Sequence, residues 1–221
     1  KLALEQAAGT REPEAAMREG ALMRAARWAL DERDAQAAIG WLRELPQGAA
    51  RRTLALRMEL KAARLEQHTE EALETARLLA KHRAFSPAAA QSIIRGLATD
   101  LLNAAHDLAQ LQRAWSQLDP AERRMPELAT HAAQRLHALG GDAELARQWL
   151  LPVWDQYESL DDPLKVRLVR SLEDGLDSID GSWLARFESA QRANPRDPML
   201  QYLAGMACMK RQLWGKAQQL L

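Results

Sequence analysis

Apolar residues recur along most of the chain at three- and four-residue intervals, with charged residues between them. Residues 106–118 carry Leu108, Leu111, Trp115 and Leu118 as one such stripe, the spacing of an amphipathic helix with one buried face. Residues 142–157 carry Leu145, Trp149, Val153 and Tyr157 in the same way, and Asp142, after Gly140 and Gly141, stands where an N-cap belongs. Residues 69–80 open on Thr69 with Glu70 and Glu71 in the first turn, where the helix dipole favours anions. Pro87, Pro126, Pro163 and Pro198 each fall near the start of a predicted helix, where a missing N–H leaves no bond unmade.

These helices come in pairs. The last pair reads PMLQYLAGMACMKRQLWGKAQQLL over 198–221. It resembles the tetratricopeptide repeat through a small residue in the first helix (Gly205, Ala207), an aromatic opening the second (Trp214) and an alanine where the two touch (Ala217). The preceding unit carries Trp183, Leu184, Phe187 and Ala190, then Pro195. Equivalent contact positions upstream are Ala146, Leu108, Ala72 and Ala38, at intervals of about 34 to 38 residues, as expected of degenerate repeats. The resemblance implies an all-α, right-handed superhelical solenoid of about six hairpins, at 13–46, 49–82, 86–119, 124–158, 163–194 and a truncated 198–221. First helices would line its inner surface. Residues 1–12 are expected to be the tail of a preceding helix or a linker, with a loop at Gly9-Thr10, ahead of a repeat domain over 13–221. Trp115, Trp149 and Trp183 also lie 34 residues apart. The register does not make them equivalent, and part of that spacing is read as coincidence.

Composition narrows the class further. The 221 residues are 47% apolar and 27% charged, enough to bury a core. Valine and isoleucine are confined to Ile39, Ile93, Ile94, Ile179, Val153, Val166 and Val169, too few for a sheet of any size. The formal net charge is zero, which argues against nucleic acid as a partner. Cys208 is the single cysteine and cannot form an internal disulfide, as fits a reducing compartment. No apolar run reaches the roughly 18 residues of a membrane span, and no signal peptide is visible. The chain opens at Lys1 and stops at Leu221 within an apolar helical pattern, so both ends are expected to be cuts in a longer protein.

No catalytic constellation emerges. His68, His82, His106, His131 and His137 form no metal-ligand pattern. Cys208 is expected to be a packed, inert thiol. The clusters Glu70-Glu71-Glu74 and Asp161-Asp162 read as helix starts and a polar turn. The expectation is a protein that is not an enzyme and holds no cofactor or metal. Two stripes stand out as candidates for partner binding. The first is basic: Arg51, Arg52, Arg57, Lys61 and Arg64, interrupted only by Glu59. Arg57, Lys61 and Arg64 share one helix face, which by the repeat register lines the groove; Arg27 and the pair His131 and Arg135 would extend it. Such a stripe suits a carboxylate, a propionate or a phosphate, because arginine offers a two-pronged fork. The second is apolar: Met199, Tyr202, Met206 and Met209 on one face of a helix whose other face carries Leu200, Leu203 and Ala207. Methionine surfaces adapt to varied partners. The plainer readings are a solvated face for the first stripe and core packing for the second.

The C-terminal half carries a narrower resemblance. HAAQRLHALGGDAELARQWLLPVWDQ (131–156), SIDGSWLARFESAQRANPRDP (178–198) and LAGMACMKRQLWGKAQQLL (203–221) are together similar to the soluble domain of the proteobacterial HemY family, linked to protoheme IX metabolism. The match spans 13–221 and is most specific over 126–221. It implies a repeat domain on the cytoplasmic side of the inner membrane of a Gram-negative bacterium, tethered by an N-terminal anchor that this chain lacks. It further implies a scaffold for late haem synthesis whose partners are other proteins, enzymes of that pathway among them. The family offers no catalytic residues to carry over. Two alternatives follow: a direct haem or porphyrin carrier, and a general envelope-assembly scaffold unconnected with haem.

Overall fold

The structure, a computed structural model, describes the backbone of residues 2–221 and the side chains from Pro13 onward. Among the described residues all regular structure is helical. The chain runs α1 (Leu2–Asp31), α2 (Ala35–Arg43), α3 (Gln47–Ala50), α4 (Thr53–Leu65), α5 (Thr69–Lys81), α6 (Pro87–Asn103) and α7 (Leu108–Gln117). It continues α8 (Pro120–Arg123), α9 (Pro126–Ala138), α10 (Ala143–Trp154), α11 (Asp162–Glu173), α12 (Gly181–Ala193), α13 (Pro198–Lys210) and α14 (Trp214–Leu220). Short 3-10 turns stand at Tyr157–Ser159 and Leu176–Ser178. The expected tail over 1–12 starts at Lys1, which lies outside the described residues. From Leu2 onward helix α1 passes through Gly9 and Thr10 without a break, which corrects the expected loop. One glycine lowers helix propensity by only about 1 kcal/mol, and the flanking Ala, Leu, Glu and Gln are strong helix formers.

The chain divides after Leu101 into two compact units. In the first, α1 packs against α2, both pack against α4, and α4 packs against α5. The core is built largely from alanine: Ala26, Ala38, Ala62 and Ala72 are fully buried, beside Leu22, Leu30, Leu42 and Leu79. Small side chains let helix backbones approach closely. Ala38 and Ala72, expected helix contacts, are both fully buried in α2 and α5.

In the second unit α9 packs against α10, and α13 against α14. The first helices α9, α11 and α13 also pack in succession, while α10 lies against α11 and α12 against α13. Hairpins that follow one another in sequence thus neighbour one another in space, a repeat-like arrangement. The core here is aromatic. Trp115 of α7 and Trp149 of α10 stack with ring centroids 4.8 Å apart and planes 22° from parallel. Of the three tryptophans at this spacing, these two sit on successive second helices and stack. Trp183 joins a different cluster, with Trp154 and Phe187. Of the remaining contact positions, Ala146 and Ala217 are buried, and Leu108 is half-buried.

Helix starts are capped mainly by aspartate. Asp34, Asp107, Asp142, Asp161, Asp180 and Asp197 each accept a backbone N–H from the first turn of the helix they precede, meeting donors that would otherwise be orphaned. The ends of five helices, α1, α4, α5, α9 and α13, share a second feature. Arg33, Gln67, Arg83, Gly140 and Gln212 all adopt left-handed backbone, with φ of 61°, 59°, 54°, 74° and 59°. The N–H of the next residue then reaches back into the helix: Asp34 to Ala29 O at 2.8 Å, His68 to Ala63 O at 2.9 Å, Gly141 to Leu136 O at 2.8 Å and Leu213 to Cys208 O at 2.9 Å. This is the Schellman turn. Only Gly140 has the residue type that adopts it without strain; the others bear about 1 kcal/mol of steric cost. Gln67→Gly is accordingly expected to stabilise the chain by about 0.5–1 kcal/mol, read as a higher midpoint in urea unfolding. A lowered midpoint would mean that the glutamine side chain holds the turn.

Candidate partner-binding groove

Helix α4 shows how the basic stripe becomes a surface. At 3.6 residues per turn, Met58 and Ala62 fall toward α1 and α2 and are buried, while Arg57, Lys61 and Arg64 fall on a common exposed face. With Leu60 and Leu65 they line an open groove of about 540 Å³, closed on its far side by Phe85 and Ile93. The floor is apolar and the rim carries three cations. Glu59, the acid that interrupts the run in sequence, is two residues from Arg57 and so about 200° around the helix; it is not among the groove's lining.

The three cations are not equivalent. Arg57 Nη2 donates to Ala84 O at 2.6 Å, and its guanidinium carbon lies 5.5 Å from the centroid of the Phe85 ring, within cation–π range. It braces the far wall. Lys61 Nζ is 3.9 Å from Asp31 Oδ1, with both side chains more than half exposed, an arrangement worth little against solvent. Arg64 is exposed, with no hydrogen bond or ion pair among the described residues. Lys61 and Arg64 are the charges available to a ligand. Arg27 is exposed on α1 but does not line the groove.

The candidates in the second unit are engaged internally. His131 Nε2 and Asn103 Oδ1 share a hydrogen bond of 2.7 Å. Burial of the ring, and then the charges of Arg135 and Arg167, hold its pKa below the ordinary value. Arg135 Nη2 donates to Ala105 O, while its Nε is buried without a partner. Tyr202 donates to Glu173 Oε1 at 2.5 Å. Met199, Tyr202 and Met206 are half-buried, and only Met209 is exposed. The opposite face, Leu200, Leu203, Ala207 and Cys208, is buried. Burial first, and Glu188 next, push the Cys208 thiol above its usual range.

One structural residue, Arg147, and one long-range bond, that of Tyr157, escaped the sequence reading. Arg147 is 4% exposed and ties α10 to the turn after α11. Its only trace in the sequence is a charge directly after the contact residue Ala146. Tyr157 donates to Asp197 Oδ2 at 3.0 Å, while Asp197 Oδ1 caps α13; burial and that carboxylate drive the phenol's pKa strongly upward. The two lie 40 residues apart, and no local pattern links them.

Fold and groove together define a class: an all-helical protein of repeat-like hairpins presenting an open, cation-rimmed groove with an apolar floor. Comparison with protein-family models, with curated proteins and with solved structures returns no match to the chain. Among the described residues no helix is long and apolar enough to cross a membrane.

Proposed function

We propose that the chain is a tetratricopeptide-type right-handed solenoid serving as a non-catalytic protein-interaction scaffold, and that the α4 groove holds an acidic, partly apolar segment of a partner protein. The observation that carries this is the pairing of two exposed cations, Arg64 and the loosely paired Lys61, with an apolar floor of Leu60, Leu65, Phe85 and Ile93. Cations at a rim select anionic partners and speed their encounter, while the floor supplies burial. In this reading, which rests on the resemblance of 126–221 to the HemY family, the scaffold works at the inner membrane and gathers enzymes of late haem synthesis. No cofactor belongs to this reading. A direct haem carrier would instead show a saturable Soret shift at micromolar haem.

Affinity capture of the full-length protein from membranes, with the bound proteins identified, tests the assignment. The variant Lys61→Glu/Arg64→Glu is expected to lose about tenfold in recovery of its acidic partner, since each reversal replaces an attraction by a repulsion near the surface. Arg57 is left in place because it braces Phe85. Added salt is expected to weaken the wild-type interaction in parallel. Full recovery by the double variant would remove the groove from the mechanism.

A further inference from the structure

The opposite face of α4 borders a second cavity. It holds about 320 Å³, lies among α2, α3, α4 and α5 and opens to solvent, where Arg43, Glu59 and Glu71 are exposed. Its apolar walls come from Ile39, Leu42 and Leu45. On α4, Ala55, Glu59 and Ala63 follow one another at four-residue spacing, and all three face the cavity. Both alanines are only 2% exposed, and their small side chains leave the space open. Glu71, from the first turn of α5, and Arg43, from the last turn of α2, reach the same cavity.

Its charges do not balance. Two carboxylates face one guanidinium, and neither Glu59 nor Arg43 has an ion pair or hydrogen bond among the described residues. Glu71 meets only His68, at 3.6 Å, with both side chains exposed. The Glu59 carboxyl is raised above its ordinary pKa, first by burial and then by the negative charge of Glu71, with Arg43 acting the other way. A half-screened carboxylate beside apolar walls gains from a cation that brings its own hydrogen-bond donors and an apolar stem.

We propose that this cavity binds an alkylguanidinium group, its apolar stem lying between Ile39, Leu42 and Leu45 and its planar head reaching Glu59 and Glu71. The volume is at the lower end of small-ligand sites and suits a stem of a few carbons. A guanidinium carries five donors in a fixed fork, which can engage carboxylates from two helices at once. The same head group occurs on free guanidino compounds and on the arginine side chains of a partner. The site is independent of the α4 groove, so either assignment can fail while the other stands.

The test is an NMR titration of the isotopically labelled chain with n-butylguanidinium, with n-butylurea as the neutral counterpart. The expected result is saturable shifts at the amides of Ala55, Glu59, Ala63 and Glu71 for the cation, with at least tenfold weaker binding of the urea. Glu59→Gln is expected to weaken the cation at least tenfold. Ala50, at the end of α3, also lines the cavity; Ala50→Leu, which fills it and keeps every charge, is expected to abolish binding while helical content is unchanged. A short peptide with one arginine between leucines separates the sources. Tighter binding than n-butylguanidinium assigns a partner's side chain; equal or weaker binding assigns a free compound. Absence of saturation with either cationic probe, equal binding of the urea, or undiminished binding to Glu59→Gln would overturn the proposal.

Discussion

Arg147→Ala is expected to destabilise the second unit by about 3–5 kcal/mol, the range for removing one partner from a buried, charged network. The guanidinium is 4% exposed and uses both ends of its fork. Nη1 donates to Gly175 O at 2.8 Å and Nη2 to Ser178 O at 3.2 Å. Nη2 also meets Glu144 Oε2 at 3.0 Å. Two of these partners are main-chain carbonyls of the segment between α11 and α12, which holds only a short 3-10 turn of its own. Gly175 is buried, and its carbonyl would keep only the long bonds from Ser178 N and Oγ, both 3.4 Å, a loss of about 1–3 kcal/mol. Glu144 is 45% exposed and would turn to water at little cost. The space vacated by the arginine stem adds a cavity term. Arg147→Met restores most of that volume but none of the donors, so it is expected to recover only the cavity part. Urea unfolding of the three proteins measures both contributions. A loss below about 1 kcal/mol for alanine would mean that water reaches the Gly175 and Ser178 carbonyls and that the arginine is replaceable.

Helix positions and pairings were largely written in the three- and four-residue spacing of apolar residues. Pro87, Pro126, Pro163 and Pro198 stand in the first turns of α6, α9, α11 and α13, and Asp142 caps α10. Such features are local, and local sequence reports them. The helices α3 and α8 span four residues each, less than the length over which a period can be read. The left-handed turns at Arg33, Gln67, Arg83 and Gln212 carry no glycine to announce them. The groove was half legible. Its near wall, Arg57, Lys61 and Arg64, follows from positions on one helix. Its far wall, Phe85 and Ile93, comes from beyond the next helix and depends on packing. Glu59 shows the converse: adjacent to the stripe in sequence, it belongs to another face and another cavity. Tyr202 and Glu173, Arg147 and Gly175, and Tyr157 and Asp197 are pairings across tens of residues, which periodicity does not encode.

The second large effect is expected at Trp154, where replacement by alanine should cost about 3–5 kcal/mol. The seven tryptophans look alike in sequence, yet they fall into two energetic groups. Trp28 and Trp214 are 68% and 63% exposed; truncating either removes little buried area and is expected to change stability by less than about 0.5 kcal/mol. Trp154 is 7% exposed and stands at the centre of an aromatic group. Its ring lies 5.1 Å from Phe187, 5.5 Å from Tyr157 and 6.3 Å from Trp183, separations at which edge-to-face contacts add to simple burial. It joins the end of α10 to α12 and to the 3-10 turn that holds Tyr157. Loss of the ring would also loosen Tyr157, whose hydroxyl meets the aspartate capping α13, so the damage is expected to spread from one helix contact to three. Trp154→Phe keeps a ring against Phe187 and is expected to lose about half as much. Trp154→Ala combined with Tyr157→Phe separates the two contributions: if the ring acts partly through the Tyr157–Asp197 bond, the double variant loses less than the sum of the single ones. Strict additivity would confine the role of Trp154 to its own packing and leave the α13 cap independent of the aromatic group.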